Sequence, residues 1–193
     1  MLSSWQIEVV RYPSMGENIT VKTWAHSFKG FYGGRNFLLT DEKEQVLAYA
    51  NTNWVFMDIE TGHPAKIDEE EANTYGLEKP YEMTYAPRKI PFPEGGIPKE
   101  GFQIGRQHLD TNNHVNNEEY IAMAQEYVPD EWCISSMRAE YKKAALLHDL
   151  VIPVVKQEKE CCAVALCDEW QKPYAIVNFY RKTLETEKLR EEI

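Results

Sequence analysis

The sequence predicts an α+β protein in which an antiparallel sheet wraps around a helix. Two observations carry the prediction. One capped helical stripe occupies residues 116–128, and alternating or β-branched runs between polar turns flank it on both sides. With 193 residues and 43% hydrophobic content, the chain can bury one good core or two small ones.

The elements follow in order. "WQIEVV" and "ENITVKTWAHSF" read as strands, the second with Ile19, Val21 and Thr23 on one face and Thr20, Lys22 and Trp24 on the other. Residues 34–64 read as two long strands around a polar turn at Asp41 to Glu44. In the second of these, Val46, Ala48, Ala50, Thr52, Trp54 and Phe56 share a face, while Leu47, Tyr49, Val55 and Met57 take the other. Apolar groups on both faces imply a sheet covered on each side. Residues 66–98, rich in proline and glycine, read as a connector that crosses a surface, with at most a short helix at Asp68 to Tyr75. The chain is thereby divided into 1–65, 66–98 and 99–193.

The last part opens on an expected strand, "GFQIGRQHL", and then enters the helix. Asn116 is placed as N-cap with Glu119 at N3, an arrangement like a capping box. Tyr120, Ile121, Ala124, Tyr127 and Val128 form the apolar stripe, and Pro129 is the stop. Four strand candidates follow, at residues 133–146, 149–158, 161–169 and 173–184. The front part has the same meander and no helix of its own. One face of its sheet therefore needs cover from another subunit, in a homo-oligomer, or from a further N-terminal piece.

Charge and composition exclude several classes. A net charge of −10 without a long basic stripe argues against nucleic-acid binding. No run of eighteen apolar residues is present, so no membrane span is expected, and the start lacks the basic leader and apolar run of an export signal. Cys133, Cys161, Cys162 and Cys167 form no CxxC pair and sit mainly on apolar runs, which favours buried thiols and a cytoplasmic location. His108, Asp110, His114 and Asp149 fit no compact ligand motif, so no metal is expected.

The stretch "HLDTNNHVNNEEYI", residues 108–121, crowds short polar side chains against the start of the helix. Such residues serve a turn and a helix cap. They also serve a reaction centre built at the same entrance. The stretch closely resembles the second-domain active-site segment of the acyl-acyl carrier protein thioesterases. "RYPSMGENITVKTW", "GRNFLL", "NTNWVFMDIETGHP" and "AEYKKAAL" resemble further landmarks of that family in its usual order. The resemblance implies two fused hotdog domains: a complete C-terminal hotdog over 99–193 and an N-terminally incomplete one over 1–65.

The resemblance also implies hydrolysis of fatty acyl thioesters carried on acyl carrier protein. The phosphopantetheine then arrives as part of the substrate, and no cofactor is bound. The family's Asp-x-Asn-x-His pattern falls on Asp110, Asn112 and His114. A glutamate and cysteine found after the helix in plant members fall on Ala144 and Ala145, so the carboxylate is missing here. Glu140 would share its strand face, at a distance of about four residues of strand rise. Acyl-CoA hydrolysis and a noncatalytic acyl-carrier binding or assembly module are the alternatives.

Elementary chemistry permits hydrolysis at this motif. His114 can exchange a proton near neutral pH, Asp110 can hold the imidazole or share its proton, and Asn112 can orient water. Backbone N–H groups of Val115, Asn116 and Asn117 at the helix entrance are candidate oxyanion donors. Trp54 and Tyr120 are candidates for an acyl cavity, or for plain core. Arg11, Arg35, Arg88, Lys142 and Lys143 are candidate contacts for an acidic carrier protein, or solvated surface charge.

Overall fold

The alternating runs of the front part become strands joined by turns that short polar side chains close. A computed structural model describes residues 1–58 and 60–182. Its chain separates into two compact units, Met1–Arg88 and Lys89–Ile193. In the first unit, β1 (Leu2–Val9), β2 (Thr20–Lys29), β3 (Tyr32–Thr40) and β4 (Val46–Val55) form an antiparallel sheet in the order β2-β3-β4-β1. Asp41 closes the β3–β4 turn by accepting the N–H groups of Lys43 and Gln45 at 2.9 and 2.8 Å. Gly34 on β3 allows a close approach: a Cβ there would sit 2.5 Å from the His26 ring.

The two faces of this sheet differ. One carries Gln6, Asn36 and Asn51 in register across β1, β3 and β4, and part of the expected connector lies on it. An irregular segment cannot satisfy its own backbone, so the sheet side chains do so. Asn36 Oδ1 accepts the Tyr81 N–H, and Gln6 both accepts the Ala86 N–H and donates to the Thr84 carbonyl. The Trp24 indole N–H donates to the Lys79 carbonyl. The other face carries Trp5, Ile7, Val9, Phe37 and Leu39, all half-buried. Trp5 and Phe37 stack with ring centroids 5.1 Å apart. Within this unit no described helix covers them. The short helix α1 (Glu69–Thr74) is followed by Tyr75, which packs against Phe28 and Phe56 near the end of the sheet.

In the second unit, β7 (Ile134–Tyr141), β8 (Leu150–Gln157), β9 (Cys161–Cys167) and β10 (Pro173–Arg181) pair antiparallel in the order β7-β10-β9-β8. Short pieces β5 (Ile97–Pro98) and β6 (Phe102–Gln103) both pair with β8. Helix α2 (Asn117–Gln125) packs against β9 and β10, as the apolar stripe requires. Val164, Leu166, Val177 and Phe179 are essentially fully buried. On the opposite sheet face, Ile90 joins Val154, Ala165, Cys167 and Ile176 in a second cluster.

Three expectations are corrected. "GFQIGRQHL" is strand only at Phe102–Gln103 and then a 3-10 turn at Arg106–His108. The Gly105 N–H donates to His108 Nδ1, a local bond that bends the chain out of the ladder. The helix ends at Gln125 because the Tyr127 and Val128 amides bond three residues back, to Ala124 and Gln125, before Pro129. Cys133 is exposed, whereas Cys162 and Cys167 are buried, which pushes each of those two thiols up to about 11. The final strand stops at Arg181, and the remainder of its expected run, from Thr183, lies outside the described residues. Among the described residues no helix is long and apolar enough to cross a membrane.

Phe179, 1% exposed under α2, sets a test of this packing. Phe179→Ala should cost about 3–5 kcal/mol of stability. Val21→Ala, at a position 60% exposed in the first unit, should change it by less than about 0.5 kcal/mol. Urea unfolding of both variants measures the difference.

Candidate active site

The crowd of asparagines before α2 folds as a tight hairpin followed at once by a helix cap. Leu109 and Val115 form an isolated antiparallel bridge. Between them, the Asp110 N–H donates to the His114 carbonyl at 2.8 Å, and the Asn113 N–H to the Asp110 carbonyl at 3.1 Å. Asn113 takes a left-handed conformation, φ 61°, which asparagine tolerates better than most residues. Asp110 Oδ1 accepts the N–H groups of Asn112 (2.8 Å) and His114 (3.2 Å), so one carboxylate ties both sides of the tip. Asn116 is the N-cap and accepts the Glu118 N–H through Oδ1. Its own N–H donates to the His108 carbonyl, which replaces the expected reciprocal bond from Glu119.

The turn-and-cap role and the reactive role therefore divide among the residues. Asp110, Asn113 and Asn116 hold backbone. His114 is exposed, and its imidazole makes no hydrogen bond among the described residues. Asp110 sits below the ordinary carboxylate range, chiefly because the His114 N–H bonds to it, with the Asn112 backbone and amide and the His114 charge adding to the effect. A carboxylate held ionised in this way is a poor proton acceptor. Its oxygen bonds the His114 backbone and not the imidazole, and the sharing of a proton between the two is the less apt of the two roles expected for it.

Of the three candidate oxyanion donors, two are engaged elsewhere. The Val115 N–H donates to the Ala145 carbonyl at 3.1 Å and the Asn116 N–H to His108. These two amides drop out as donors because a second acceptor would have to compete for the same hydrogen. Asn117, the first residue of α2, keeps an N–H with no acceptor among the described residues, at the positive end of the helix.

The segment onto which the resemblance places the plant members' glutamate, Ala144 and Ala145, lies beside the hairpin. Ala145 is fully buried, and its N–H donates to the Tyr120 hydroxyl at 2.7 Å while its carbonyl accepts from Val115. Ala144 is exposed. Glu140 does not take its place: it is 2% exposed, accepts the Ile90 N–H at 2.7 Å and pairs with Lys142 at 2.9 Å. It thus faces the Ile90 cluster, while its neighbour Tyr141 reaches α2 by donating to the Asn117 carbonyl at 3.0 Å.

The remaining candidates are scattered. Trp54 lines an apolar recess of about 480 Å³ in the first unit with Phe28, Val55, Phe56 and Tyr75, and Arg35 lies in its wall. Tyr120 is 2% exposed with its hydroxyl engaged, so it packs and tethers where a cavity wall was expected. All five basic candidates have partners in the protein. Arg11 pairs with Glu17 and Asp41, and Arg35 donates to Thr23. Arg88 donates to Ser3 and lies over the Tyr32 ring, while Lys142 and Lys143 pair with Glu140 and Asp168. Among the described residues no three His, Cys, Asp or Glu side chains converge as a metal site would require.

A mostly antiparallel sheet with a helix laid on one face is the hotdog-type fold. An acyl-ACP thioesterase structure from Bacteroides thetaiotaomicron superposes with a TM-score of 0.83 at 19% identity, over 94% of this chain and 75% of that one. Residues 1–75 match the family model for the acyl-ACP thioesterase N-terminal domain, and the chain is a relative of the acyl-ACP thioesterases. It is 32% identical over 141 residues to a chloroplastic acyl-[acyl-carrier-protein] hydrolase of Cuphea viscosissima, a match over 68% of this chain and 33% of that protein. It is 30% identical over 138 residues to the chloroplastic oleoyl-acyl carrier protein thioesterase 1 of Arabidopsis thaliana, over 65% of this chain and 38% of that protein. The chain thus spans between a third and two fifths of the length of these curated relatives.

The depressed Asp110 pKa fixes the sign of a pH effect. Its stabilisation is fully present above the unfolded-chain value, near 3.8, and is lost as pH falls through the lower folded-state value. Asp110→Asn, which keeps an acceptor oxygen without charge, should be less stable than wild type at neutral pH, and the gap should narrow below about pH 4. Urea midpoints measured from pH 7 down to about pH 3 give the two curves.

Proposed function

We propose that the protein hydrolyses fatty acyl thioesters of acyl carrier protein, releasing free fatty acid and the carrier thiol. The carrying observation is the exposed His114 imidazole, presented by a hairpin that the ionised Asp110 pins at the entrance of α2. Fold alone does not choose a reaction. This motif in a relative of acyl-ACP thioesterases supports the hydrolytic reading.

His114 takes a proton from water as the oxygen attacks the thioester carbonyl carbon, and Asp110 stabilises the imidazolium that forms. Asn112, at the hairpin tip, orients the water. The tetrahedral oxyanion is met by the Asn117 N–H and the positive end of α2. Collapse breaks the carbon–sulfur bond, and the departing thiolate takes the proton from His114. Water is consumed, acid and thiol are formed, and the phosphopantetheine belongs to the substrate. The reaction calls for no cofactor or metal.

This reading extends to the rest of the chain. The two units correspond to two hotdogs, the first built on the strands of 1–65 and the second on those of 99–193. Trp54 contacts acyl chain. Lys142 and Lys143, beside Ala144 in sequence, are the basic candidates for an acidic carrier in the second unit, with Arg11, Arg35 and Arg88 in the first. A cytoplasmic location and self-association through the half-buried face of Trp5 and Phe37 complete the proposal.

His114→Ala should lower kcat about 100- to 10,000-fold while leaving carrier binding largely intact. Turnover of carrier-protein and CoA thioesters across chain lengths, with calorimetry for binding, measures both. Wild-type binding without turnover above His114→Ala on any thioester would replace hydrolysis by the binding-module reading. Ala144→Glu should raise turnover, because it returns a carboxylate to an exposed position next to Ala145.

A further inference from the structure

Tyr120 has no assigned part in the chemistry, yet its environment is specific. It is among the largest fully buried side chains of the chain, and burial pushes its hydroxyl pKa up, so the group stays protonated. The hydroxyl oxygen accepts the Ala145 N–H at 2.7 Å, a contact between side chain and backbone 25 residues apart. The carbonyl of the same Ala145 accepts the Val115 N–H at 3.1 Å. One alanine is therefore held from both sides, by the first full turn of α2 and by the closing residue of the hairpin.

We infer that Tyr120 is a positioning residue: its hydroxyl fixes the Ala145 backbone, and through Val115 sets where the hairpin holds His114 relative to the Asn117 amide. This rests on the hydrolytic reading of His114. The hairpin's other ties, Asp110 to the amides of Asn112 and His114, lie within the loop itself and cannot set its placement against the rest of the unit. The Asn116 N–H bond to His108 joins the hairpin to the preceding 3-10 turn, again a local neighbour. The Tyr120–Ala145–Val115 path joins it to the chain leaving β7. It replaces ladder pairing where β7 has ended, and Ala145 is fully buried, so in the intact protein its N–H is satisfied by the hydroxyl and not by bulk water. Misplacement of a catalytic group by a fraction of a bond length is enough to slow a reaction without affecting ground-state binding.

The test removes one oxygen. Tyr120→Phe keeps the ring, and Tyr141→Phe, which removes the neighbouring hydroxyl that donates to the Asn117 carbonyl, serves as a control for loss of a buried hydroxyl. Amide exchange by mass spectrometry and NMR, together with kcat and KM on acyl carrier protein thioesters, are measured on the full chain. Tyr120→Phe should speed exchange of the Ala145 and Val115 amides, lower kcat about tenfold and leave KM within about twofold. Tyr141→Phe should leave Ala145 exchange unchanged. If Tyr120→Phe is destabilised, kcat and exchange for it and for wild type are compared at a lower temperature at which urea unfolding shows both folded. Unchanged exchange at Ala145 overturns the tether. Faster exchange with wild-type kcat overturns its role in positioning. If wild-type turnover equals that of His114→Ala, the hydrolytic reading and the positioning role fall together, and the exchange data still decide separately whether the tether exists.

Discussion

Backbone polar groups that leave a sheet or helix must find partners, and in this protein a few side-chain atoms provide them. Asn36 and Gln6 hold residues 81–86 against the first sheet, Glu140 holds Ile90 against the second, and Asp110, Asn116 and Tyr120 hold the hairpin and the segment beside it. Each replaces a ladder bond that the local sequence cannot make. Where the group is buried, as the Ile90 and Ala145 N–H groups are, leaving it unpaired costs about 1–3 kcal/mol. The irregular segments are therefore as well placed as the strands they cross. A proline-rich stretch that reads as a connector behaves as a strap.

That constraint shapes the site electrostatically. A carboxylate that accepts two backbone N–H groups is favoured in its charged form, which is why Asp110 stays ionised while it holds the hairpin. Structure and chemistry use the same charge for different ends. The backbone bonds occupy Oδ1, and the negative potential extends toward His114, whose imidazole is exposed. The positive end of α2 adds the opposite potential at Asn117. An exposed imidazole and a backbone amide at the positive end of a helix are thus set at one helix entrance with little dedicated machinery.

Much of this was legible in the sequence, because it rests on local rules. Alternation and polar turns marked the strands of the first sheet, and the Asn116 cap and the α2 stripe follow from helix chemistry. The resemblance of residues 108–121 pointed to Asp110, Asn112 and His114. What could not be read were bonds between distant segments. Tyr120 looked like any stripe residue, since its partner lies 25 positions away. Val115 and Asn116 looked like free amides, since Ala145 and His108 cannot be assigned to them by spacing. Buried Gln6 and Asn36 in strands were visible as polar residues in apolar runs. Their meaning needed the strap above them.

Glu140 shows why strand parity alone is a weak guide to a catalytic carboxylate. Four residues before Ala144, it keeps the same parity only if the strand continues, and β7 ends at Tyr141. The chain then turns through Lys142 and Lys143, both of whose amides bond to the Tyr174 carbonyl, and Ala145 arrives beside Val115 by a path with no strand register. Glu140 meanwhile is committed to Ile90 and Lys142 on the other sheet face. Moving it would strand a buried N–H and an ammonium group. The protein therefore has no carboxylate in reserve on β7 to replace the one absent at Ala144, and the proposed hydrolysis rests on the electrostatics of Asp110, His114 and the α2 entrance.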